Sequence, residues 1–273
     1  MQINKEGSAA PLALAQLPMY DWPEIATATD ALWGAIRDAF NQRDIRAPTM
    51  LDRSLPREQA WVSKQLLLSQ TCGLPLVQTL RKQVKVLGSF EYEGIAPAGA
   101  YHSVIIARAG IDKDLASLRS KRAAINGTDS YSGCLALKCA VAPFTPGDGF
   151  FSEVLITSSH RESIRAVANG SADTAAIDCV NWQLAKHHDA AAKALDIIAH
   201  TPSRPGLPLI TAGSKTQAEL GLMREALASA VTGLDENTRT VTGIRSFQPL
   251  DDTAYAVIAN DLRRCGDLAL SPV

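Results

Sequence analysis

The chain has 273 residues, 46% of them hydrophobic, 20% charged and 5% aromatic, with a formal net charge of -1. At ~100–200 residues per domain, that length is one large domain or two modest α/β lobes with room for a packed core. The balance of 27 Lys+Arg against 28 Asp+Glu offers no basic excess for nucleic acid, and no apolar run approaches the ~20 residues of a membrane span.

From the N-terminus, Ala9-Ala10-Pro11-Leu12-Ala13-Leu14-Ala15 ends in a small-x-small triplet of the secretory cleavage type. Lys5 and Glu6 cancel, however, and Pro11 interrupts the run, so Leu12–Leu17 reads better as the first buried strand. Short apolar runs then alternate with helical patterns. Strands are expected at Gln65–Ser69, Lys85–Phe90, Ser103–Arg108, Arg122–Ile125, Glu153–Thr157, Thr174–Ile177, Leu195–Ala199 and Leu209–Ala212. Thr29–Arg43 places Leu32, Trp33, Ile36 and Phe40 on one helical face, and Ser132–Ala142, His160–Asn169 and Cys179–His187 read as helices too. This alternation predicts α/β layers around a largely parallel sheet. Lys215–Val231 and Asp251–Arg264 read as two amphipathic helices without clear strands between them, packed as a helical flank on one lobe.

Two Pro/Gly-rich stretches, Glu93–Gly99 and Thr201–Pro208, look like crossings between lobes. They divide the chain into a discontinuous lobe (1–97 and 206–273, carrying the C-terminal helices) and an inserted lobe (98–205). A ligand cleft between the two follows from that topology.

Chemistry concentrates in Arg122–Leu137. A strand ends at Ile125, a polar Asn-Gly-Thr-Asp-Ser turn follows, and a helix opens near Ser132 with no Asp or Glu from Ser130 through Gly147. The opening amides of a helix lack internal partners and carry the positive end of its dipole, so small hydroxyl residues there can cradle an anion, with Gly133 allowing close approach. Equally, Ser130 can simply cap the helix. At Ser159–Glu162 a capping box satisfies its own helix end and leaves His160 at the carboxyl end of a strand, either as a structural hydrogen-bonding group or as a ligand contact. Asp178 can cap the next helix or meet a ligand amine, and Cys179 is a nucleophile only if a base such as His160 activates it. Five cysteines cannot all pair, and neither they nor the histidines show metal-ligand spacing, so free thiols and no metal or cofactor are expected. No Walker, dinucleotide-binding or nucleophile-elbow motif is present.

The runs Gly99–Arg108, Leu118–Asn126, Asp129-Ser130-Tyr131-Ser132-Gly133, Thr157–Ser163, Val167–Asp178 and Thr201–Pro208 resemble the phosphate/phosphite/phosphonate-binding components of ABC importers. The resemblance spans roughly Leu12 to Thr211 and weakens beyond. It implies the type II periplasmic-binding-protein fold, two α/β lobes joined by two hinge crossovers. It also implies a site in which Ser130, Tyr131, Ser132 and Gly133 hold anionic oxygens, Tyr101, His102, Ser103, His160 and Asp178 border the cleft, and Tyr20, Gln70 and Thr71 come from the other lobe. Tyr131 stands where the family carries a small hydroxyl residue, and Arg161 where some phosphonate binders carry Glu, which argues against an aminoalkylphosphonate.

The expectation is therefore a non-catalytic, monomeric solute-binding protein that closes on a phosphonate, phosphite or phosphate and serves an ABC permease. It would be periplasmic if a leader was removed and cytoplasmic if the sequence is complete as given. The alternative is a same-fold cytosolic enzyme or metabolite sensor with Cys179 and His160 in the cleft.

Overall fold

The computed structural model describes residues 13–95, 97–110, 114–145 and 149–272; Leu12 and the leader-like residues before it lie outside that set. Among the described residues twelve strands form: β1 (Leu14–Ala15), β2 (Leu66–Gln70), β3 (Val84–Tyr92), β4 (Ala100–Tyr101), β5 (Ser103–Arg108), β6 (Arg122–Ile125), β7 (Glu153–Ile156), β8 (Thr174–Asp178), β9 (Leu195–His200), β10 (Arg204–Pro205), β11 (Leu209–Ala212) and β12 (Ile244–Pro249). They build two five-stranded sheets, ordered β1-β2-β11-β3-β12 and β7-β6-β8-β5-β9, plus the short pair β10-β4.

The sheets are mixed rather than largely parallel, which corrects the expectation from strand-helix alternation. Only β1–β2, β6–β7 and β6–β8 run parallel within them, while β11 opposes β2 and β3, β12 opposes β3, and β5 opposes β8 and β9. The physical cause is the chain's path. β3 leaves one sheet and β11 returns to it by way of the paired stretch β4/β10, and β11 runs antiparallel to β3. That stretch runs antiparallel, Ala100 opposite Pro205, and the Gly206 amide donates to the Gly99 carbonyl at 2.7 Å.

The C-terminal third carries a second correction. β12 lies between the two helices where no strand was expected, and among the described residues it is an edge strand paired only to β3. Its register slips between Ile244 and Ser246, so Ile244 and Phe247, three residues apart, are both buried. A bulge thus gives a strand the apolar spacing of a helix. β3 accepts β12 closely because Gly88 has no side chain: a Cβ there would stand 2.2 Å from the Gln248 carbonyl oxygen.

Helix Ala26–Asn41 buries Leu32, Trp33, Ile36 and Phe40 at helical spacing and packs against Gln217–Thr232, which opens with a Thr216/Glu219 capping box. The last helix, Ala256–Cys265, does not stay on one sheet's side. Ile258 lies against Gly73, whereas Asp261 accepts from the Tyr131 hydroxyl, and the Gly266 and Leu270 carbonyls accept from Lys138 and from the Phe150 and Phe151 amides. Among the described residues no helix is long and apolar enough to cross a membrane.

Candidate functional site

Between the two sheets lies a cavity of about 200 Å³. One wall, polar, is made of Asn126, Asp129, Ser130, Ser132 and the Ser158–Arg161 corner; Pro18, Met19, Trp22, Arg57, Trp61 and Pro75 face it from the other sheet's side. Asp178 and Asn181 close the floor where β8 runs into helix Cys179–His188.

The polar wall is built at strand ends. β6 delivers Asn126, and the turn after it carries the chain into a helix that starts as a π turn (Tyr131–Leu135) and continues as α-helix to Val141. Ser130 caps this helix, its Oγ accepting from the Gly133 amide at 3.0 Å, so the capping alternative holds in geometry while the hydroxyl still borders the cleft. Gly133 is required here: a Cβ would sit 1.8 Å from Asn126 Oδ1 and 3.2 Å from His160 Cε1. Ser132 Oγ is 2.9 Å from His160 Nε2, and the Ser103 hydroxyl donates to the Ser132 carbonyl at 2.9 Å. Ser103 therefore braces the turn from behind.

His160 is 8% exposed, and its Nδ1 has no partner among the described residues. Burial pushes its pKa down to about 3, so the ring is neutral and divides donor and acceptor roles between its two nitrogens. Asp178 is pushed up to about 6 by burial, against the Asn181 and Val180 amides that its Oδ1 caps and the Tyr20 hydroxyl that donates to Oδ2 at 2.9 Å. These two groups act on stability with opposite signs. The unfolded chain protonates His160 near pH 6.5 while the folded protein does not, so that stability is complete above 6.5 and lost as pH falls toward 3. Asp178 in the fold keeps a proton that the unfolded chain releases near 3.8, so its contribution belongs to low pH and is lost as pH rises through 6. In urea denaturation, His160→Gln is expected to lose stability less steeply than the parent between pH 6.5 and 4.5, by up to ~1.4 kcal/mol per pH unit. Parallel curves would show that His160 takes up its proton without cost to the fold.

Several expected site residues lie elsewhere. Side chains alternate along β4 and β5, so His102 turns away from Tyr101 and Ser103 and packs on His200 at 5.1 Å, outside the cleft. Tyr101 is buried among Cys72, Tyr131, Asp178 and Cys179, behind the lining. Tyr131, expected to meet the ligand, points the other way, its hydroxyl donating to Asp261 Oδ2 at 2.7 Å. Gln70 and Tyr20 border a separate cavity of about 30 Å³ beside Phe90 and Tyr92, and the Thr71 amide is tied to the Pro208 carbonyl. Of the expected set, Ser130, Ser132, His160 and Asp178 line the cleft, with Gly133 directly behind them.

Sequence reasoning missed Arg57, Trp61 and Asn181; Trp22, which follows the first strand, reads from sequence either as a group recognising a small polar ligand or as a core or rim residue. Asn181 was findable: it stands in the first turn after Asp178, where its Oδ1 accepts from Trp22 Nε1 at 3.1 Å. Arg161 Cζ lies 4.4 Å over the Trp22 ring, and the same guanidinium pairs with Glu24 and Asp189. Arg57 pairs with Glu58 and approaches Asp129 at 3.8 Å. The positive charge at the cleft is thus balanced locally. Cys179 is not set up for attack: burial and the neighbouring Asp178 push its thiol up to about 12, and the His160 ring is engaged with Ser132. Among the described residues no cluster of His, Cys, Asp and Glu could hold a metal ion.

Residues 58–255 match the family model described as ABC transporter, phosphonate, periplasmic substrate-binding protein. In structure the chain is similar to PhnD1 from Prochlorococcus marinus in complex with methylphosphonate, at TM-score 0.73 and 15% identity over 95% of this chain and 100% of that one. It is also similar to a binding protein component of an ABC phosphonate transporter from Pseudomonas aeruginosa (TM-score 0.69, 17% identity, 92% of this chain and 85% of that one). A Xanthomonas citri protein bound to ATP matches at TM-score 0.69 and 15% identity over 94% and 99%. Among curated proteins, none matches by sequence. The fold is the type II periplasmic-binding-protein fold.

Proposed function

Because the chain belongs to the family of periplasmic substrate-binding proteins of phosphonate ABC transporters, we propose that it closes on a small phosphonate-type oxyanion in this cleft and hands it to an ABC permease, outside the cytoplasmic membrane. The polar wall carries this reading: hydroxyls of Ser130 and Ser132 and the neutral His160 ring converge where a helix begins, with the nearby arginines already paired. Donors without net charge can bind an anion when they are preorganised and largely desolvated, since each hydrogen bond to a charged acceptor contributes ~1.5–3 kcal/mol.

The lobes of this proposal are 13–97 with 206–272 and 98–205, hinged at β4/β10. Closure is supported by contacts that only approach of the two lobes can make: Tyr20 to Asp178, Trp22 to Asn181 and Arg161 to Glu24. The PhnD1 complex with methylphosphonate supports the ligand class. The expected result is calorimetric binding of at least one of methylphosphonate, phosphite and phosphate, with a decrease in the radius of gyration from small-angle scattering as the ligand saturates. No heat from any of the three at millimolar concentration would overturn the ligand class; binding without compaction would overturn hinge closure.

A further inference from the structure

We infer that the ligand is a phosphonate bearing a flat, uncharged apolar substituent such as an aryl group, and that Trp22 and Trp61 select it. This rests on the oxyanion reading above and narrows its substrate class. A tetrahedral anion displaces two or three waters at ~30 Å³ each, which leaves more than half of a cavity of about 200 Å³. The anion's place is the end where Ser130 and Ser132 meet His160, a lining residue more than nine-tenths buried whose Nδ1 has no partner among the described residues.

The wall opposite is carbon-rich apart from Arg57: Met19, Trp22, Trp61, Pro18 and Pro75. Both indole N–H groups are already used, Trp22 Nε1 on Asn181 Oδ1 at 3.1 Å and Trp61 Nε1 on the Gln70 carbonyl at 3.2 Å. With Arg161 Cζ over Trp22 at 4.4 Å and Arg57 Cζ over Trp61 at 5.7 Å, what the rings still offer a ligand is apolar surface without a free donor. A charged substituent has no answering group. Asp178 is occupied by two helix amides and Tyr20, Asp129 lies 3.8 Å from Arg57, which itself pairs with Glu58 at 2.6 Å, and Arg161 is held between Glu24 and Asp189.

The test compares phenylphosphonate with methylphosphonate by titration calorimetry on the full chain. Phenylphosphonate is expected to bind at least about tenfold tighter, which ~55 Å² of newly buried carbon surface supplies at ~25 cal/mol/Å², and with the more negative heat-capacity change. In Trp22→Ala, and independently in Met19→Ala should the first not fold, the ratio of the two affinities is expected to fall at least threefold. Equal or tighter binding of methylphosphonate overturns the substituent class and leaves the oxyanion reading standing. Failure of both compounds overturns the oxyanion reading and this inference with it.

Discussion

Removal of the Ser130 and Ser132 hydroxyls together is expected to weaken methylphosphonate binding by about two to four orders of magnitude. Two hydrogen bonds to a charged acceptor at ~1.5–3 kcal/mol each give ~3–6 kcal/mol, and ~1.4 kcal/mol is tenfold in affinity. The effect is not a sum of independent parts. Ser130 also caps the helix that opens at Tyr131, and loss of a serine cap costs ~1 kcal/mol of stability. Ser132 supports His160 Nε2, so Ser132→Ala removes one contact to the anion and leaves a buried ring nitrogen without its partner. The single variants are therefore expected to couple, with Ser132→Ala the more costly to binding and Ser130→Ala the more costly to the thermal midpoint. Calorimetry and melting on the same three proteins separate the two costs. An affinity for methylphosphonate within threefold of the parent in the folded double variant would place the anion elsewhere in the molecule.

The strands legible in the sequence are those that local chemistry specifies alone. Ser103–Arg108, Arg122–Ile125 and Leu209–Ala212 form with the bounds their apolar runs give, because they are buried on both faces. Ile244–Pro249 escaped because its bulge is a property of the pairing with β3, which no local pattern encodes. Strand direction escaped for a related reason: parallel or antiparallel is decided by where the chain re-enters, so β11 opposes its neighbours although its own residues read like any buried strand. At the site, residues fixed by a strand end or a cap were legible, as Ser130, His160 and Asp178 are. Tyr131 and His102 were not, because the side of a strand or turn from which a ring emerges depends on partners distant in sequence, Asp261 and His200. The near-neutral total charge acquires a local meaning as well. Arg57 and Arg161 border the cleft but each is matched by an acid, so the cleft carries little net charge from its arginines.

The last helix reaches the serine turn through one buried carboxylate. Asp261, its side chain 4% exposed, accepts from Arg204 at 2.6 and 3.1 Å, from the Tyr131 hydroxyl at 2.7 Å and from Arg264 at 3.1 Å. Burial would raise its pKa, but hydrogen bonds from Arg204 and Tyr131 outweigh that and hold it below the usual carboxylate range. Its stabilisation is thus present above the unfolded pKa of ~3.9 and lost as pH falls below it. Asp261→Ala is expected to destabilise the protein by ~3–5 kcal/mol in urea denaturation at neutral pH, because Arg204, 13% exposed, keeps a charge with no answering group and the Tyr131 hydroxyl loses its acceptor. Arg264 is 66% exposed and adds little to that sum. The cost belongs to the orphaned charge rather than to the pair, so Asp261→Leu combined with Arg204→Met should recover most of it. If the double variant is no more stable than Asp261→Ala, the loss comes from packing of the helix and not from the buried guanidinium. Because Tyr131 is the residue between the two cleft serines, Asp261→Ala should also loosen methylphosphonate binding, and the double variant, which restores stability without restoring an acceptor for Tyr131, should not repair it.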